Sequence, residues 1–175
     1  LELFTTPFQA MTIMEFDPQI FSILPGVFNE DEFIIVVDVP TSIACIGRKT
    51  SVHSIEVLES FLHLDGYVKT TGDEPTYSPR HTGIVVFKVT YNFGDSIVLG
   101  GIHFHHMTAK SWYSKMPADM LGIFKASFQN IFDKLAQLIT LFEMKILLGD
   151  FNRSLTKIAG ELQKRGAPAL LRAFA

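Results

Sequence analysis

Four stretches of this chain, Phe33 to Val39, Gly83 to Thr90, Ser96 to Phe104 and Lys145 to Gly149, are so rich in Val, Ile, Leu and Phe that several leave no face fit for water. β-branched and aromatic residues favour the pleated backbone, and a strand apolar on both faces belongs to a sheet that is covered on both sides. That requirement selects layered architectures. Leu1 to Thr6 carries similar patterning and is expected as a further strand. Helical coverage is expected from Val52 to Leu64, where Val52, Ile55, Val57, Leu58, Phe61 and Leu62 fall broadly on one side after Ser51 as an N-cap. A longer helix is expected from Ala118 to Thr140, with Leu121, Phe124, Phe128, Phe132, Leu135 and Leu138 near helical spacing, and a last one from Ser154 to Arg165. The latter ends at Gly166, a favourable C-cap position before Pro168. Turn chemistry at Pro25-Gly26, Asp65-Gly66, Gly72 to Pro79 and Phe93-Gly94-Asp95 separates the elements, and the last of these joins two strands as a hairpin. The order predicts an α/β or α+β sandwich with a mixed sheet.

A chain of 175 residues with 47% hydrophobic content is enough for one domain with a sizeable core, taken as 1–175. Fifteen Lys and Arg against eighteen Asp and Glu give a net charge of −3, so no global basic field draws the chain to nucleic acid or acidic lipid, and any nucleic-acid contact must be local. The lone Cys45 has no internal disulfide partner, which favours a reducing compartment and excludes a cysteine zinc knuckle. No apolar run approaches the roughly 20 residues of a membrane-spanning helix, and no secretory signal pattern is seen, so a soluble, intracellular protein without a membrane partner is expected. The chain opens on Leu1 inside an expected strand and stops in an apolar stretch at Phe174-Ala175, the pattern expected of a fragment.

The sharpest chemical signal is Leu147-Leu148-Gly149-Asp150-Phe151-Asn152, an apolar strand that ends in glycine and then offers a carboxylate and an amide two residues apart. At that spacing both point to one side of a strand end. The amide can hold a phosphoryl oxygen while the carboxylate orients or deprotonates a water beside a metal. The competing reading is an Asp-Phe-Asn turn that only caps the following helix, a common use of Asx residues. A second signal is His103-Phe104-His105-His106, in which His103 and His105 share a face by strand alternation. Zinc ligation by His103, His105 and His106 is one reading. A histidine hydrogen-bonded near a strand end is the blander and favoured one, because no Asp-His follows.

In this order and spacing the two signals resemble the endonuclease/exonuclease/phosphatase family, which includes pancreatic-type deoxyribonucleases, abasic-site endonucleases, inositol polyphosphate phosphatases and retrotransposon endonucleases. The resemblance runs from Leu1 to Arg165. It implies a deoxyribonuclease-I-like two-layer β-sandwich flanked by helices, incomplete at the C-terminus, where the family's last strand carries an Asp-His pair. It makes His103 the acid or phosphate contact, and Asp150 and Asn152 the water-orienting and phosphate-holding pair. Arg80, with His81, precedes the Gly83-led strand where some nucleases offer a cation to the substrate phosphate. Phe33 to Pro40 resembles the strand that ends in Gln-Glu, which puts Asp38 at the metal-binding glutamate position and Val37 in place of the glutamine. Leu1 to Met11 resembles the first strand, with Pro7 where a metal-site asparagine is usual.

The resemblance therefore implies an Mg²⁺- or Mn²⁺-dependent phosphodiesterase with Asp38 and Asp150 as metal ligands and nucleic acid as substrate, most plausibly an endonuclease of retroelement or repair type. The alternative is a non-catalytic remnant of such a domain, for which Pro7, Asp38 and the absent Asp-His pair argue.

Overall fold

The computed structural model describes residues 10–14, 19–70, 75–104, 118–151 and 154–167. Its elements, in chain order, are β1 (Ala10–Met14), α1 (Gln19–Val27), β2 (Phe33–Asp38), β3 (Ile43–Arg48), β4 (Val52–Thr70), β5 (Pro75–Tyr91), β6 (Ser96–His103), α2 (Ala118–Leu141), β7 (Ile146–Asp150) and α3 (Leu155–Lys164). A three-stranded antiparallel sheet has the order β1-β3-β2, and a four-stranded sheet has the order β4-β5-β6-β7, in which only the β6–β7 pair is parallel. The expected strand Leu1 to Thr6 lies outside the described residues.

The buried residues explain why the strand sequences are apolar throughout. Along β5, Val85, Phe87 and Val89 meet Ile43 and Cys45 of β3 between the sheets, while Ile84 and Val86 point the other way, into a core with Ile131, Phe132, Leu135 and Leu138 of α2 and Ile158 and Leu162 of α3. Each strand residue thus finds apolar cover on its own face. On the outer side of the smaller sheet, Leu24 of α1 closes over Ala44 and Ile46. The layers run α1, small sheet, large sheet, α2 with α3. Among the described residues no helix is long and apolar enough to cross a membrane.

The expected helix from Val52 to Leu64 is instead the first two thirds of β4. Ser51 lies in the turn before it, and Asp65-Gly66 lies within the strand, paired with Arg80 and Pro79. The cause is two register shifts, between Val52 and Ser54 and between Val57 and Glu59. Each extra residue moves the following side chains to the other face. Val52 and Ile55 therefore enter the core between the sheets, and Leu58 and Phe61 pack on the helix side. Apolar residues at 52, 55, 58 and 61 imitate a helical period while serving two faces of a bulged strand. Pro25-Gly26, expected as a turn, falls in the last turn of α1.

The β5–β6 ladder ends at Gly83 opposite His103, whereas the β4–β5 ladder continues to Thr70 opposite Pro75, so a two-stranded arm extends past the end of β6. At the far side, Arg165 ties α3 to α2. Its guanidinium donates to Asp133 Oδ1 at 2.5 Å, to Glu161 Oε2 at 2.8 Å and to Gln129 Oε1, and it stands 5.5 Å from the centre of the Phe132 ring. Arg165→Ala is expected to lower stability by about 1–2 kcal/mol, since packing and charge-assisted bonds are lost together. Hydrogen bonds from Lys164 and then Arg165 hold the Glu161 carboxyl below its ordinary 4.5. A depressed carboxylate stabilises the fold fully above its unfolded-state value and loses that contribution as pH falls through the folded-state value. The acid limb of a stability-versus-pH curve should therefore be shallower in Arg165→Ala than in the parent, which urea titrations between pH 3 and roughly pH 6 will show.

Candidate active site

Three strand ends and one turn meet at a single edge of the sandwich. The parallel register pairs His103, the last residue of β6, with Asp150, the last residue of β7. The Phe104 N–H donates to the Asp150 carbonyl at 2.9 Å, which locks the two ends together. Side-chain alternation puts both on the face that looks toward the smaller sheet, because Leu99 of β6 and Ile146 of β7 face it at matching positions. His103 is only 5% exposed, whereas Asp150 is exposed. The pair is thus a buried imidazole beside a wet carboxylate.

Gly149 is what lets β7 come this close. A Cβ at that position would overlap the carbonyl oxygen of Ile102 and stand 2.7 Å from its Cγ2, so the glycine before Asp150 is fixed by the approach of the two backbones. Asn152, expected to work with Asp150, lies outside the described residues, as do His105 and His106.

On the other flank of His103 stands Gly83 of β5, and over Gly83 sits Thr41. A Cβ on Gly83 would meet Thr41 Cβ at 2.8 Å and Thr41 O at 3.0 Å. Thr41 belongs to the turn 39–42 that joins β2 to β3, in which Ser42 has φ of +55° and its N–H donates to the Val39 carbonyl at 3.2 Å. Asp38 closes this turn. Its Oδ2 accepts from the Thr41 N–H at 3.2 Å, from the Thr41 hydroxyl, and from Ser60 Oγ of β4 at 2.7 Å.

In this arrangement Asp38 serves as an acceptor for the turn and for β4. The strand it ends is an edge strand of the small sheet, lying against β4, and the carboxylate is 8% exposed with Oδ2 already shared among three donors. Arg80 sits in β5 three residues beyond Gly83, opposite Asp65, so it lies past the end of β6.

The sequence pattern did not mark β1 as a strand. β1 lies against β6 and β7, and its last residue, Met14, pairs with Ile43, the same residue that Asp38 faces from the other side. β1 therefore ends at this same edge, and the chain runs on into Glu15, outside the described residues. No group of three His, Cys, Asp or Glu side chains able to hold a metal ion lies among the described residues. Asp150 is the one predicted ligand there whose exposure suits a cation that keeps most of its waters.

Two solved structures share this arrangement of sheets and helices. D. rerio TDP2 complexed with single-strand DNA product superposes with a TM-score of 0.51 at 16% identity, over 98% of this chain and 56% of that one. A humanized D. rerio TDP2 with 14 mutations superposes with a TM-score of 0.51 at 15% identity, over 91% and 58%. The chain has the endonuclease/exonuclease/phosphatase fold. It spans less than two thirds of the length of either deoxyribonuclease-I-like neighbour. No protein-family model and no curated protein matches it. Within this fold the expected sandwich flanked by helices holds, and His103 and Asp150 are brought together as neighbouring strand ends.

Proposed function

We propose that the chain hydrolyses phosphodiesters of nucleic acid with the help of a divalent cation, Mg²⁺ or Mn²⁺. The observation that carries the reading is the pairing of His103 with Asp150 at the parallel strand ends of a deoxyribonuclease-I-like sandwich. In D. rerio TDP2 that fold is seen with a single-strand DNA product, which supports nucleic acid as the substrate class.

In this reading Asp150 orients the attacking water, and Asn152 holds a phosphoryl oxygen. His103, held in place by its burial, donates to the phosphate or to the leaving oxygen; a positioned acid or base of this kind contributes about 10²–10⁴-fold. Arg80 offers a cation to the phosphate chain on the β5 side. A bound divalent ion supplies charge neutralisation at the phosphate and a more acidic water. Asp150 would be its carboxylate ligand among the described residues.

The test is plasmid nicking titrated with Mg²⁺ and with Mn²⁺, using the chain beside its Asp150→Ala variant. Nicking that needs the cation and disappears in the variant is expected. Identical behaviour of the two proteins, active or inert, would overturn the reading, and an inert but folded pair would leave a domain whose chemistry is lost.

A further inference from the structure

We infer that Asp38 is a positioning residue: it acts through Thr41 and Ser60 to seat the 39–42 turn over Gly83, beside the strand end that carries His103, and is not a metal ligand. One carboxylate oxygen gathers donors from two layers of the fold, the Thr41 N–H at 3.2 Å and the Thr41 hydroxyl within the small sheet's turn, and Ser60 Oγ at 2.7 Å from β4 of the large sheet. Thr41 is 1% exposed and Asp38 is 8% exposed, so water is no substitute for the Thr41 donors or for the acceptor, while Ser60 reaches in from the exposed side of β4. A short acceptor at the first position of a turn, reaching the backbone three residues on, is a use for which Asp and Asn are suited and Glu, one methylene longer, is not. Thr41 packs onto Gly83 at a distance that only a residue without a Cβ allows. The path from Asp38 to the site is therefore short: Asp38 to Thr41, Thr41 onto Gly83, and Gly83 across one antiparallel rung to His103.

The inference bears on the proposed hydrolysis only through the placement of that strand end, so its main readouts do not need activity. Shape and charge can be separated at this position. Asp38→Asn keeps the acceptor at the same reach and removes the charge, whereas Asp38→Glu keeps the charge and moves the oxygen. A turn anchor is rescued by Asn and not by Glu; a metal ligand shows the reverse order.

In the full chain, Asp38→Ala is expected to lower the melting temperature by about 5 °C or more, given roughly 2–4 °C per kcal/mol for a domain of this size. Asp38→Asn should recover most of that loss and Asp38→Glu little of it. Thr41→Val should share the loss and add little to Asp38→Ala in the double variant, since one network is being removed twice. Mn²⁺ affinity, read calorimetrically with the metal alone, should agree within twofold between the parent and Asp38→Asn, and any nicking should keep its Mn²⁺ half-saturation in that variant. A parental melt for Asp38→Glu, or a tenfold weaker Mn²⁺ affinity in Asp38→Asn, would overturn the inference. If the parent nicks nothing, the proposed hydrolysis fails while the order of the melts still decides the role of Asp38.

Discussion

Gly149→Ala is expected to destabilise the fold by about 3 kcal/mol, at the upper end of what overpacking usually costs. The added Cβ would have to occupy the space of the Ile102 carbonyl oxygen, with Ile102 Cγ2 at 2.7 Å and the Ile102 carbonyl carbon at 2.8 Å. A flexible side chain can swing away from a methyl group, but a backbone carbonyl in a sheet ladder moves only if the strand moves. Among the described residues β7 is an edge strand of the large sheet, so relief comes by parting it from β6 at the rung next to His103 and Asp150. A fall in melting temperature of about 6–12 °C follows from the size of the domain. Gly160→Ala is the control of opposite sign: it lies inside α3 with nothing within 4 Å of the added Cβ, and alanine in a helix is favoured over glycine by about 0.5–1 kcal/mol. Thermal melts of the two variants beside the parent check both signs at once. An unchanged melt for Gly149→Ala would mean that β6 and β7 do not approach as described.

The sequence was informative wherever one residue's environment followed from its immediate neighbours. β2, β6 and β7 were legible because their apolar runs have one explanation, cover on both faces, α2 because its apolar positions keep a helical period over many residues, and α3 because Gly166 before Pro168 marks a helix end. Gly149 and Asp150 stood out because a glycine and a carboxylate at the end of an apolar strand mark a place where backbones meet. β4 was misread for the opposite reason. Its two bulges exchange faces every few residues, so the pattern from Val52 to Phe61 reports two different cores in turn. No local rule reveals that, because the bulges are decided by what β4 pairs with. Asp38 shows the same limit at the site. The bonds from Thr41 are local to the turn, but β2 forms a hairpin with β3 on the side of the small sheet next to β4, and only that topology brings Ser60 to the Asp38 carboxylate. The role of a strand end depends on which strand stands opposite, and that is a long-range fact.

His103→Ala and Asp150→Ala are each expected to lower kcat/KM for nucleic-acid cleavage by about 10²–10⁴-fold, and the double variant by little more than the worse single one. The reason lies in the rung they share. His103 and Asp150 are register partners in the parallel ladder, with the Phe104 N–H bound to the Asp150 carbonyl at 2.9 Å, so the two stand at one patch of the edge, where the proposed hydrolysis has them serve one phosphate. Groups that act on the same transition state fail as a unit: once the water is no longer oriented, a proton donor at the leaving oxygen has little left to accelerate, and the reverse holds equally. Independent contributions would instead multiply, giving a double variant worse by the product of the two factors. The burial of His103 adds a second condition. At 5% exposure its imidazole sits in packed surroundings, and its truncation to alanine leaves a cavity as well as a missing donor. His103→Asn, smaller but still able to donate, separates these effects: cleavage restored partway with a melt close to the parent's assigns the loss to the donor, whereas a low melt with cleavage restored on cooling assigns it to packing. Asp150 is exposed, so its truncation should leave the melt within about 0.5 kcal/mol of the parent, the usual range for a surface change, and any loss of cleavage there is chemical. A double variant that loses the full product of the two single effects would separate the pair and remove the ground on which the proposed hydrolysis rests.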